Sequence, residues 1–337
     1  MNILLTGGTG YIGSHTAVVL TQLGHKVVLF DNLSNSSEWV VRRLEQITEV
    51  KTPFIKGDVR DSELLLNTLK NYGIDAVIHF AGLKSVGESV NQPIEYYANN
   101  VQGTIVLLQA MQSAGVKNLV FSSSATVYGE PKYLPLDERH PTSATNPYGR
   151  SKLHIEEMLN EIAKSDNDWR IACLRYFNPV GAHESGLIGE NPRGVPNNLM
   201  PYIAQVAAGL RTELNVFGGD YPTKDGTGVR DYIHVIDLAE GHAAALTYLS
   251  KATGYQAINL GTGNGYSVFD MVNAFEKASG CKIPYKVVAR REGDVAACYA
   301  DPGKARELLS WSAKRGLEDM CASTWRFKIE DSLAVSE

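Results

Sequence analysis

The sequence is poor in the features that mark several large classes of protein. Its four cysteines, Cys173, Cys281, Cys298 and Cys321, have neither a metal-type spacing nor a close pair, so we expect reduced thiols and no metal site. No apolar run approaches the length that spans a bilayer. A formal charge of -5 offers no basic surface for nucleic acid. We therefore expect no membrane and no nucleic acid among the partners of this protein.

The chain also shows no secretion signal, because an apolar strand is predicted to begin at Asn2 or Ile3. We therefore expect a cytoplasmic protein. The 337 residues allow one large domain or two closely fused ones. Hydrophobic residues make up 44% of the chain, which is enough for an ordinary globular core.

Strand and helix patterns alternate through the first half of the chain. Residues 2–5 predict a strand, residues 11–23 a helix and residues 26–30 a second strand, which together make one βαβ unit. The alternation continues to a strand predicted at residues 170–175. Such a pattern predicts an α/β fold with a Rossmann-type doubly wound parallel sheet.

The composition changes after about Asn178, where a stretch rich in glycine, proline and asparagine begins. We expect residues 1–178 to form a nucleotide-binding Rossmann domain, to which a later segment at about 230–262 returns. Residues 179–337 are then expected to form a smaller, irregular α/β substrate lobe. Its long turn-rich loop at residues 218–228 is of the kind that usually carries function.

A glycine-rich turn joins the first predicted strand to the first predicted helix. Gly7, Gly10 and Gly13 form the pattern G-x-x-G-x-x-G, with Gly8 in addition. Such glycines let backbone N–H groups approach a pyrophosphate at a helix N-terminus. The glycines at residues 261–265 lack that strand–turn–helix context, and we interpret them as an ordinary loop.

Two aspartates end the neighbouring predicted strands. Asp31 lies 18 residues beyond Gly13, and a carboxylate at that distance hydrogen-bonds the adenosine ribose and repels a 2′-phosphate, which favours NAD over NADP. The alternative is that Asp31 caps the loop before Glu38. Asp58 can meet the adenine amino group or, equally, cap the helix predicted from Ser62.

Tyr148 and Lys152 are four residues apart, so a helix places them on one face. We expect the lysine cation to lower the pKa of the phenol, because opposite charge favours the phenolate. A phenolate can take a proton from a sugar hydroxyl. Tyr128 and Lys132 share the spacing, but the proline between them breaks a helix. The alternative for Tyr148 and Lys152 is a solvated helix face.

Ser124 lies at the carboxyl end of a predicted strand, where a doubly wound sheet binds its ligands. Its hydroxyl can hydrogen-bond a reacting oxygen. Ser122 and Ser123 compete for that role, although strand alternation turns Ser123 away if Ser124 faces the site. Beside a dinucleotide, these groups indicate redox chemistry at a carbinol carbon.

These residues resemble the extended short-chain dehydrogenase/reductase family, and within it the nucleotide-sugar epimerases. The resemblance covers essentially the whole chain, and its most specific stretches are residues 79–89, 121–129, 174–183, 195–203, 225–235 and 290–294. It implies reversible C4 epimerisation of UDP-glucose and UDP-galactose through a 4-keto sugar. It also implies a tightly held NAD that is not consumed.

The resemblance assigns roles position by position. Tyr148 matches the family's base, Lys152 the lysine that binds the nicotinamide ribose, and Ser124 the hydroxyl partner. The positions that match cofactor contacts, besides Tyr148 and Lys152, are Gly7, Gly10, Tyr11, Ile12, Gly13, Asp31, Asn32, Asn35, Ser36, Asp58, Val59, Phe80, Ala81, Gly82, Lys84, Asn99 and Phe177.

The positions that match UDP-sugar contacts, besides Ser124 and Tyr148, are Lys84, Asn178, Asn198, Leu199, Asn215, Phe217, Arg230, Tyr232, Arg291, Asp294 and Cys298. Arginines suit a pyrophosphate because their planar guanidinium groups bind oxyanions through paired hydrogen bonds. The alternative for Arg230 with Asp231, and for residues 290–292, is surface ion pairing of little energetic value.

Two further expectations follow from the resemblance. Members limited to non-acetylated hexoses have a tyrosine where this chain has Cys298, so UDP-N-acetylglucosamine and UDP-N-acetylgalactosamine are expected as additional substrates. The alternative is that neighbouring side chains fill the space. The resemblance also implies a homodimer built on a helix bundle, here from residues 91–114 and 148–163.

Other functions stay open on the residues alone. A 4,6-dehydratase of the same fold needs an additional acid and base, but no carboxylate follows Ser124 before Glu130. A UDP-glucuronate-type epimerase or decarboxylase belongs to the same group of alternative nucleotide-sugar enzymes of this fold. A non-catalytic NAD-binding sensor has no need of Tyr148, Lys152 and Ser124 together.

Overall fold

The computed structural model describes residues 1–192, 196, 198–291 and 293–334. Fourteen strands are assigned within that part of the chain. They are β1 (Asn2–Thr6), β2 (Lys26–Asp31), β3 (Phe54–Lys56), β4 (Ala76–His79), β5 (Asn118–Ser124), β6 (Arg170–Tyr176), β7 (Asn178–Val180), β8 (Leu214–Phe217), β9 (Val229–Arg230), β10 (Tyr232–His234), β11 (Gly254–Leu260), β12 (Tyr266–Ser267), β13 (Tyr285–Val288) and β14 (Ala297–Cys298).

Seven of these strands form the central sheet, in the order β11-β6-β5-β4-β1-β2-β3. All of its neighbouring strands are parallel. The chain reverses direction across the sheet after β3, because β4 pairs with the other edge of β1. This is the doubly wound topology, so the predicted fold class is confirmed.

The helices cover both faces of that sheet and fill the second lobe. They are α1 (Tyr11–Gln22), α2 (Trp39–Thr48), α3 (Ser62–Asn71), α4 (Val86–Asn91), α5 (Pro93–Tyr96), α6 (Gly103–Ala114), α7 (Pro147–Ser165), α8 (Leu199–Ala207), α9 (Val235–Leu249), α10 (Val268–Ser279), α11 (Gly303–Leu309) and α12 (Leu317–Ala334). Among the helices of the described residues, none has the length and apolarity that crossing a membrane requires.

Alternating side chains of the central strands enter two separate cores. Ile3 and Leu5 of β1 pack in the core formed with α1, α2 and α9, while Leu4 packs in the core formed with α3, α6 and α7. All three side chains are fully buried. Strands covered on both faces are apolar throughout, which explains the continuous hydrophobic runs of the sequence.

A third core holds the second lobe together. It is formed by side chains from α8, α10 and α12 and from β8, including Ile203, Val216 and Phe275. Three small sheets complete this part: β7 with β10, β9 between β12 and β14, and β8 with β13. The central sheet takes its edge strand β11 from this late part of the chain.

Two helical regions differ from the sequence prediction. Helix α2 was not predicted, and its N-cap residue Glu38 makes no capping bond through its side chain. The single helix predicted from Pro93 to Ala114 contains a π-helical segment, Tyr97–Gln102, between α5 and α6. Asn100, in this wider turn, is directed inward and binds the backbone of Leu83 through both side-chain atoms.

Candidate functional site

The glycine turn between β1 and α1 is shaped so tightly that side chains would block it. Gly7 has a φ of +69°, and a Cβ added there would lie 2.7 Å from the amide nitrogen of Ala81. A Cβ on Gly13 would lie 2.4 Å from the carbonyl oxygen of Gly7. Helix α1 therefore begins directly against the turn. Its N-cap, Gly10, has no side chain to cover the helix N-terminus, as binding of a pyrophosphate requires.

Asp31 connects this turn to the loop after β2. Its Oδ2 accepts a hydrogen bond from the Thr9 amide at 3.2 Å, and its Oδ1 accepts from Leu33 N at 2.8 Å and from the Ser36 hydroxyl at 3.2 Å. Asp31 thus caps the loop before Glu38, as the alternative interpretation of this residue predicts. A carboxylate accepts about four hydrogen bonds, so capacity for a ribose hydroxyl remains.

The carboxylate of Asp58 accepts hydrogen bonds from the side chains of two nearby residues. Arg60 binds it through two hydrogen bonds of 2.8 and 2.9 Å, and Asn32 donates a third at 3.1 Å. The hydrogen bonds from Arg60 hold the pKa of Asp58 well below its usual range. The carboxylate that caps α3 is Asp61, which accepts from Leu64 N. The alternative in which Asp58 caps this helix is therefore wrong.

The residues predicted to contact a cofactor lie at the carboxyl ends of the central strands, which we call the carboxyl edge of the sheet. Parallel strands end there together, and the residues at or directly after those ends include Gly7 after β1, Asp31 in β2, Asp58 and Val59 after β3, Phe80, Ala81, Gly82 and Lys84 after β4, and Phe177 after β6. Others are in adjacent segments: Tyr11 and Ile12 in α1, Asn35 and Ser36 after β2, and Asn99 in the π-helical segment.

Ser124, Tyr148 and Lys152 meet at the same edge, where β5 ends and α7 begins. The side chain of Asn146 caps α7 by accepting from Gly149 N at 2.9 Å, which fixes the start of the helix next to Tyr148. The Ser124 hydroxyl is near enough to the Tyr148 phenol to act on its pKa. Lys152 is only 5% exposed, so the alternative of a solvated helix face is wrong for this residue.

The ammonium of Lys152 enters the sheet rather than solvent. Its Nζ donates to the carbonyl oxygen of Ser122 at 2.6 Å and lies 4.7 Å from the ring centre of Phe121. Burial lowers the pKa of Lys152 to about 8. Burial raises the pKa of Tyr148, and the nearby Ser124 side chain opposes that rise. The expected lowering of the tyrosine pKa is therefore wrong for the structure as it stands, because desolvation outweighs it.

The competing serines are engaged elsewhere. Ser123 donates its hydroxyl to the carboxylate of Glu156 at 2.5 Å and is almost fully buried. Ser122 is buried, and its carbonyl oxygen accepts from Lys152 Nζ. Ser124 is half-buried, and its oxygen accepts from the amide and hydroxyl of Thr126 at 3.2 and 3.0 Å. Of the three, Ser124 has the hydroxyl that reaches Tyr148.

The second lobe brings together most of the residues predicted to contact a UDP-sugar. Arg291 binds Asp294 through bonds of 3.1 and 3.2 Å, and Arg230 lies 3.9 Å from the same carboxylate. The guanidinium of Arg291 stands 5.6 Å from the ring centre of Phe217. Cys298 pairs with Arg230 in the register of β14 and β9. The group thus combines two cations, an acceptor and an exposed aromatic face.

Other predicted contacts lie on β7, β10, α8 and β8. Asn178 pairs with Tyr232 in the small sheet of β7 and β10. Leu199 is the first residue of α8, and Asn215 lies in β8, where its Oδ1 is buried without a protein partner among the described residues. Val195, Asn197 and Glu292, from stretches that carry the family resemblance, lie outside the described residues.

Asp231 appears in the prediction only in the alternative of a surface ion pair with Arg230, and the structure gives it a different place. It is fully buried, and it accepts hydrogen bonds from the amides of Thr262, Gly263 and Ala300 at 2.9 to 3.1 Å. These bonds hold the glycine-rich loop and the strand beyond Cys298 together. Arg290, in contrast, does form an exposed ion pair with Asp220 at 2.7 Å.

Glu190 was not predicted either. Its carboxylate lies 3.3 Å from the ammonium of Lys84 and 2.7 Å from the side-chain nitrogen of Asn198. Both of these residues are predicted ligand contacts, so Glu190 connects the edge of the central sheet to the second lobe. No local pattern marks it, because its partners are 106 and 8 residues away.

Comparisons with known proteins agree on one group of relatives. A family model described as GDP-mannose 4,6 dehydratase matches residues 4–324. The chain is 58% identical over 328 residues to a UDP-glucose 4-epimerase of Bacillus subtilis, covering 97% of each chain. It superposes with a TM-score of 0.98, at 52% identity and 99% coverage of each chain, on the Stenotrophomonas maltophila UDP-glucose-4-epimerase with bound NAD and formylated UDP-arabinopyranose.

A second solved structure has similar ligands. The Bifidobacterium longum UDP-glucose 4-epimerase in complex with NAD+ and UDP gives a TM-score of 0.96 at 52% identity, with 98% of this chain and 99% of that chain covered. The similarity therefore extends through both lobes.

The close approach at Gly13 gives a test of the glycine turn. We expect Gly13→Ala to lower the free energy of unfolding by about 1–3 kcal/mol, because the added carbon must displace backbone atoms. We also expect it to lower the amount of NAD that the protein retains. Urea unfolding and the absorbance of nucleotide released on denaturation measure the two effects.

Gly87→Ala is the matched control, since a Cβ there meets nothing within 4 Å. Equal retention of NAD by the Gly13 and Gly87 variants would contradict the assignment of this turn as the dinucleotide cradle.

Proposed function

The chain belongs to the UDP-glucose 4-epimerase family, and from that membership we propose that it interconverts UDP-glucose and UDP-galactose by NAD-dependent oxidation and reduction at C4 of the hexose. The observation that carries the proposal is the meeting of Ser124, Tyr148 and Lys152 beside the glycine turn at one edge of the sheet. A base and a dinucleotide cradle at one edge suit reversible redox chemistry at an alcohol carbon.

The residues fit an NAD molecule that stays bound. Gly7, Gly10 and Gly13 leave the space that a pyrophosphate needs against the N-terminus of α1. Asp31 supports NAD rather than NADP, because its carboxylate would repel a 2′-phosphate. NAD held there would supply the hydride acceptor and donor that the side chains lack.

The chain's own residues handle the proton and the substrate. Tyr148 accepts the proton of the C4 hydroxyl and later returns it, and Ser124 hydrogen-bonds the same oxygen. Lys152 supplies the cation that favours the phenolate form of Tyr148 on the same helix face. The carbon is oxidised to a 4-keto sugar and reduced again, so the whole cycle inverts one stereocentre and consumes nothing.

Inversion requires the hexose to present both faces in turn, so the nucleotide must be the anchor. Arg230 and Arg291 provide two guanidinium groups for the pyrophosphate, and Asp294 provides an acceptor for ribose hydroxyls. Phe217 offers an exposed ring, and Asn215 a buried oxygen, to the uracil. Strong binding of UDP with weak binding of the hexose leaves the sugar able to turn.

A dehydratase is the second candidate, because the matching family model is described as GDP-mannose 4,6 dehydratase. Water loss from C5 and C6 needs an additional acid and base. The residues after Ser124 are Ala125 and Thr126, and Thr126 is hydrogen-bonded to the Ser124 oxygen. The absence of a carboxylate at this point in the sequence favours epimerisation.

The substrate range is proposed to include the acetylated hexoses. Cys298 packs in a small apolar cluster with Leu153 and Phe177, next to the end of β5. Burial raises the pKa of its thiol to about 11, so the side chain is neutral. A thiol is far smaller than a phenol, and the space it leaves supports accommodation of an acetamido group at C2.

A homodimer is proposed from an apolar surface on the helices around the π-helical segment. Ile94 is 83% exposed, and Val90 and Ile105 are 62% and 38% exposed. Tyr97 and Val101 line the same surface. Contiguous exposed apolar residues of this kind mark association sites. The π-helical segment packs on α7 in the same chain, which supports a proposed bundle built from residues 91–114 and 148–163.

The two-part division of the chain is proposed with the same boundaries as before, residues 1–178 for NAD and residues 179–337 for the UDP-sugar. The return of the later segment to the nucleotide part is supported by β11, because Gly254–Leu260 pairs along its whole length with β6.

Incubation with UDP-galactose and no added cofactor tests the proposed function directly. We expect UDP-glucose to form, whereas a non-catalytic sensor would give no product. Tyr148→Phe should lower kcat by about 10²- to 10⁴-fold, because it removes the group that transfers the proton. Tyr72→Phe, at an exposed tyrosine outside the site, is the control. Near-full turnover by the Tyr148 variant would remove this residue from its role.

Cys298→Tyr tests the proposed substrate range. We expect the variant to lose epimerisation of UDP-N-acetylgalactosamine while it keeps epimerisation of UDP-galactose, because the phenol fills the space near C2. Cys298→Ser, which preserves the small side chain, should retain both activities. Equal activity of the wild type and the tyrosine variant on the acetylated sugar would discard the explanation.

Ile94→Glu tests the proposed dimer surface. A carboxylate in a buried apolar interface is costly, so we expect the variant to shift from dimer to monomer in size-exclusion chromatography with light scattering. Leu210→Glu, at a 62% exposed residue of the second lobe, should leave the mass unchanged. An unchanged mass for the Ile94 variant would place any interface elsewhere.

A further inference from the structure

Glu156 is a buried carboxylate on the catalytic helix to which the proposed reaction assigns no role. It lies one helical turn beyond Lys152 and two turns beyond Tyr148, so the three side chains share one face of α7. Glu156 is 3% exposed and Lys152 is 5% exposed. A carboxylate hidden at this depth needs partners, and the identity of those partners indicates what it does.

Arg175, at the end of β6, is the partner that neutralises Glu156. Its Nη2 donates to Glu156 Oε2 at 2.6 Å and its Nε to Oε1 at 3.0 Å. The remaining nitrogen, Nη1, donates to the phenol oxygen of Tyr128 at 3.0 Å, and that phenol donates to Asn259 Oδ1 at 2.7 Å. The pair is therefore fixed in one geometry by residues of β6, of β11 and of the helical turn Ala125–Tyr128 that follows β5.

The same carboxylate binds the strand that carries the catalytic serine. Ser123 donates its hydroxyl to Glu156 Oε1 at 2.5 Å. Ser122, one residue earlier, accepts the hydrogen bond of Lys152 through its carbonyl oxygen. Ser124, one residue later, reaches Tyr148. Three successive serines thus connect to Lys152, Glu156 and Tyr148.

We propose that Glu156 is a positioning residue of the active site, whose carboxylate keeps the ammonium of Lys152 in its charged form beside Tyr148 and fixes the end of the strand that carries Ser124. This role rests on the function proposed above, because Lys152 and Tyr148 take their roles from it. Glu156 itself touches neither the substrate nor the cofactor in this account.

The other groups around Lys152 cannot supply that charge. Cys173 from β6, if ionised, would raise the pKa of Lys152 more strongly than Glu156 does, and His79 from β4 is also coupled to Lys152. Burial lowers the pKa of His79 to about 3 and raises that of the Cys173 thiol, so both are neutral at pH 7. Arg175 is a cation and opposes the lysine charge.

Tyr255, from β11, completes the surroundings. Its phenol lies 3.4 Å from Glu156 Oε2, and burial raises its pKa, so it too is neutral. In the described part of the chain, Glu156 is the one carboxylate that acts on Lys152. Removal of its negative charge should therefore favour loss of the proton from Lys152.

Direct titration of Lys152 tests the proposal without depending on turnover. The full-length protein is labelled with [ε-¹³C]lysine and reconstituted with NAD, and the Lys152 signal is assigned by its loss in Lys152→Met. We expect the titration midpoint of Lys152 to fall by about one pH unit or more in Glu156→Gln. In that variant the charge of Arg175 is left uncompensated and acts in the same direction.

Two matched variants separate charge from structure. Ser123→Ala removes a hydrogen bond of Glu156 but keeps its charge, and Glu157→Gln removes an exposed charge one residue further along α7. Both should leave the midpoint of Lys152 in place. A folded Glu156→Gln variant with an unshifted midpoint would overturn the proposal.

The double variant Glu156→Gln with Arg175→Gln covers the case in which the single variant does not fold, since it leaves no unpaired buried charge. Its midpoint should also fall, because the carboxylate and not the guanidinium lies one turn from Lys152. An unshifted midpoint there overturns the proposal equally.

Epimerisation measured across pH separates this proposal from the function on which it rests. The alkaline limb of the kcat profile should move to lower pH in Glu156→Gln by the same amount as the titration midpoint. A wild type that epimerises together with an unshifted Lys152 midpoint contradicts only the role of Glu156. A wild type that does not epimerise contradicts the proposed function, whatever the titration gives.

Discussion

A buried ammonium is the constraint on which the candidate site depends. Lys152 is 5% exposed, and its desolvation favours the neutral amine, which is why its pKa falls to about 8 from the ordinary 10.5. Lys152 therefore loses its proton near pH 10.5 in the unfolded chain and near pH 8 in the folded protein. Charge on Lys152 therefore opposes folding below pH 8, and the cost disappears as the pH rises towards 10.5. At neutral pH the folded protein therefore bears the cost of a buried charge on Lys152. The carbonyl oxygen of Ser122, the ring of Phe121 and the carboxylate of Glu156 offset part of that cost.

The parallel sheet makes that compensation available. Its strands end at a common edge, so β5 and β6 deliver their last residues side by side, with Ser124 opposite Tyr176 in the register. Helix α7 crosses the same region with Tyr148, Lys152 and Glu156 on one face. Ser123 contacts Glu156 through its side chain, whereas Ser122 contacts Lys152 through its carbonyl oxygen. Neighbouring residues of the strand therefore contact the same helix although their side chains alternate between the two faces.

Local spacing is what the sequence could predict. The glycine turn, Asp31 at the end of its strand, and Tyr148 four residues before Lys152 are each defined within a short segment. The pairing of Glu156 with Arg175 joins two elements, and the bonds of Asp231 reach residues up to 69 positions away. Those contacts depend on strand register and on the packing of the second lobe. The predicted lowering of the Tyr148 pKa was wrong for a related reason. Desolvation raises this pKa, and desolvation depends on tertiary burial and not on a neighbour in sequence.

Reversibility explains why burial alone cannot set the pKa of Tyr148 during the proposed cycle. The same group must accept a proton in one half of the proposed cycle and donate it in the other, so neither form can be strongly preferred near neutral pH. Burial pushes Tyr148 towards the phenol. A nearby cation favours the phenolate, which is the effect that the proposed reaction requires of Lys152. Lys152 can oppose the effect of burial only while it keeps its own proton, and that is set by the charge of Glu156 one turn away. In this proposal, proton transfer by Tyr148 thus depends on the buried ion pair of Glu156 with Arg175.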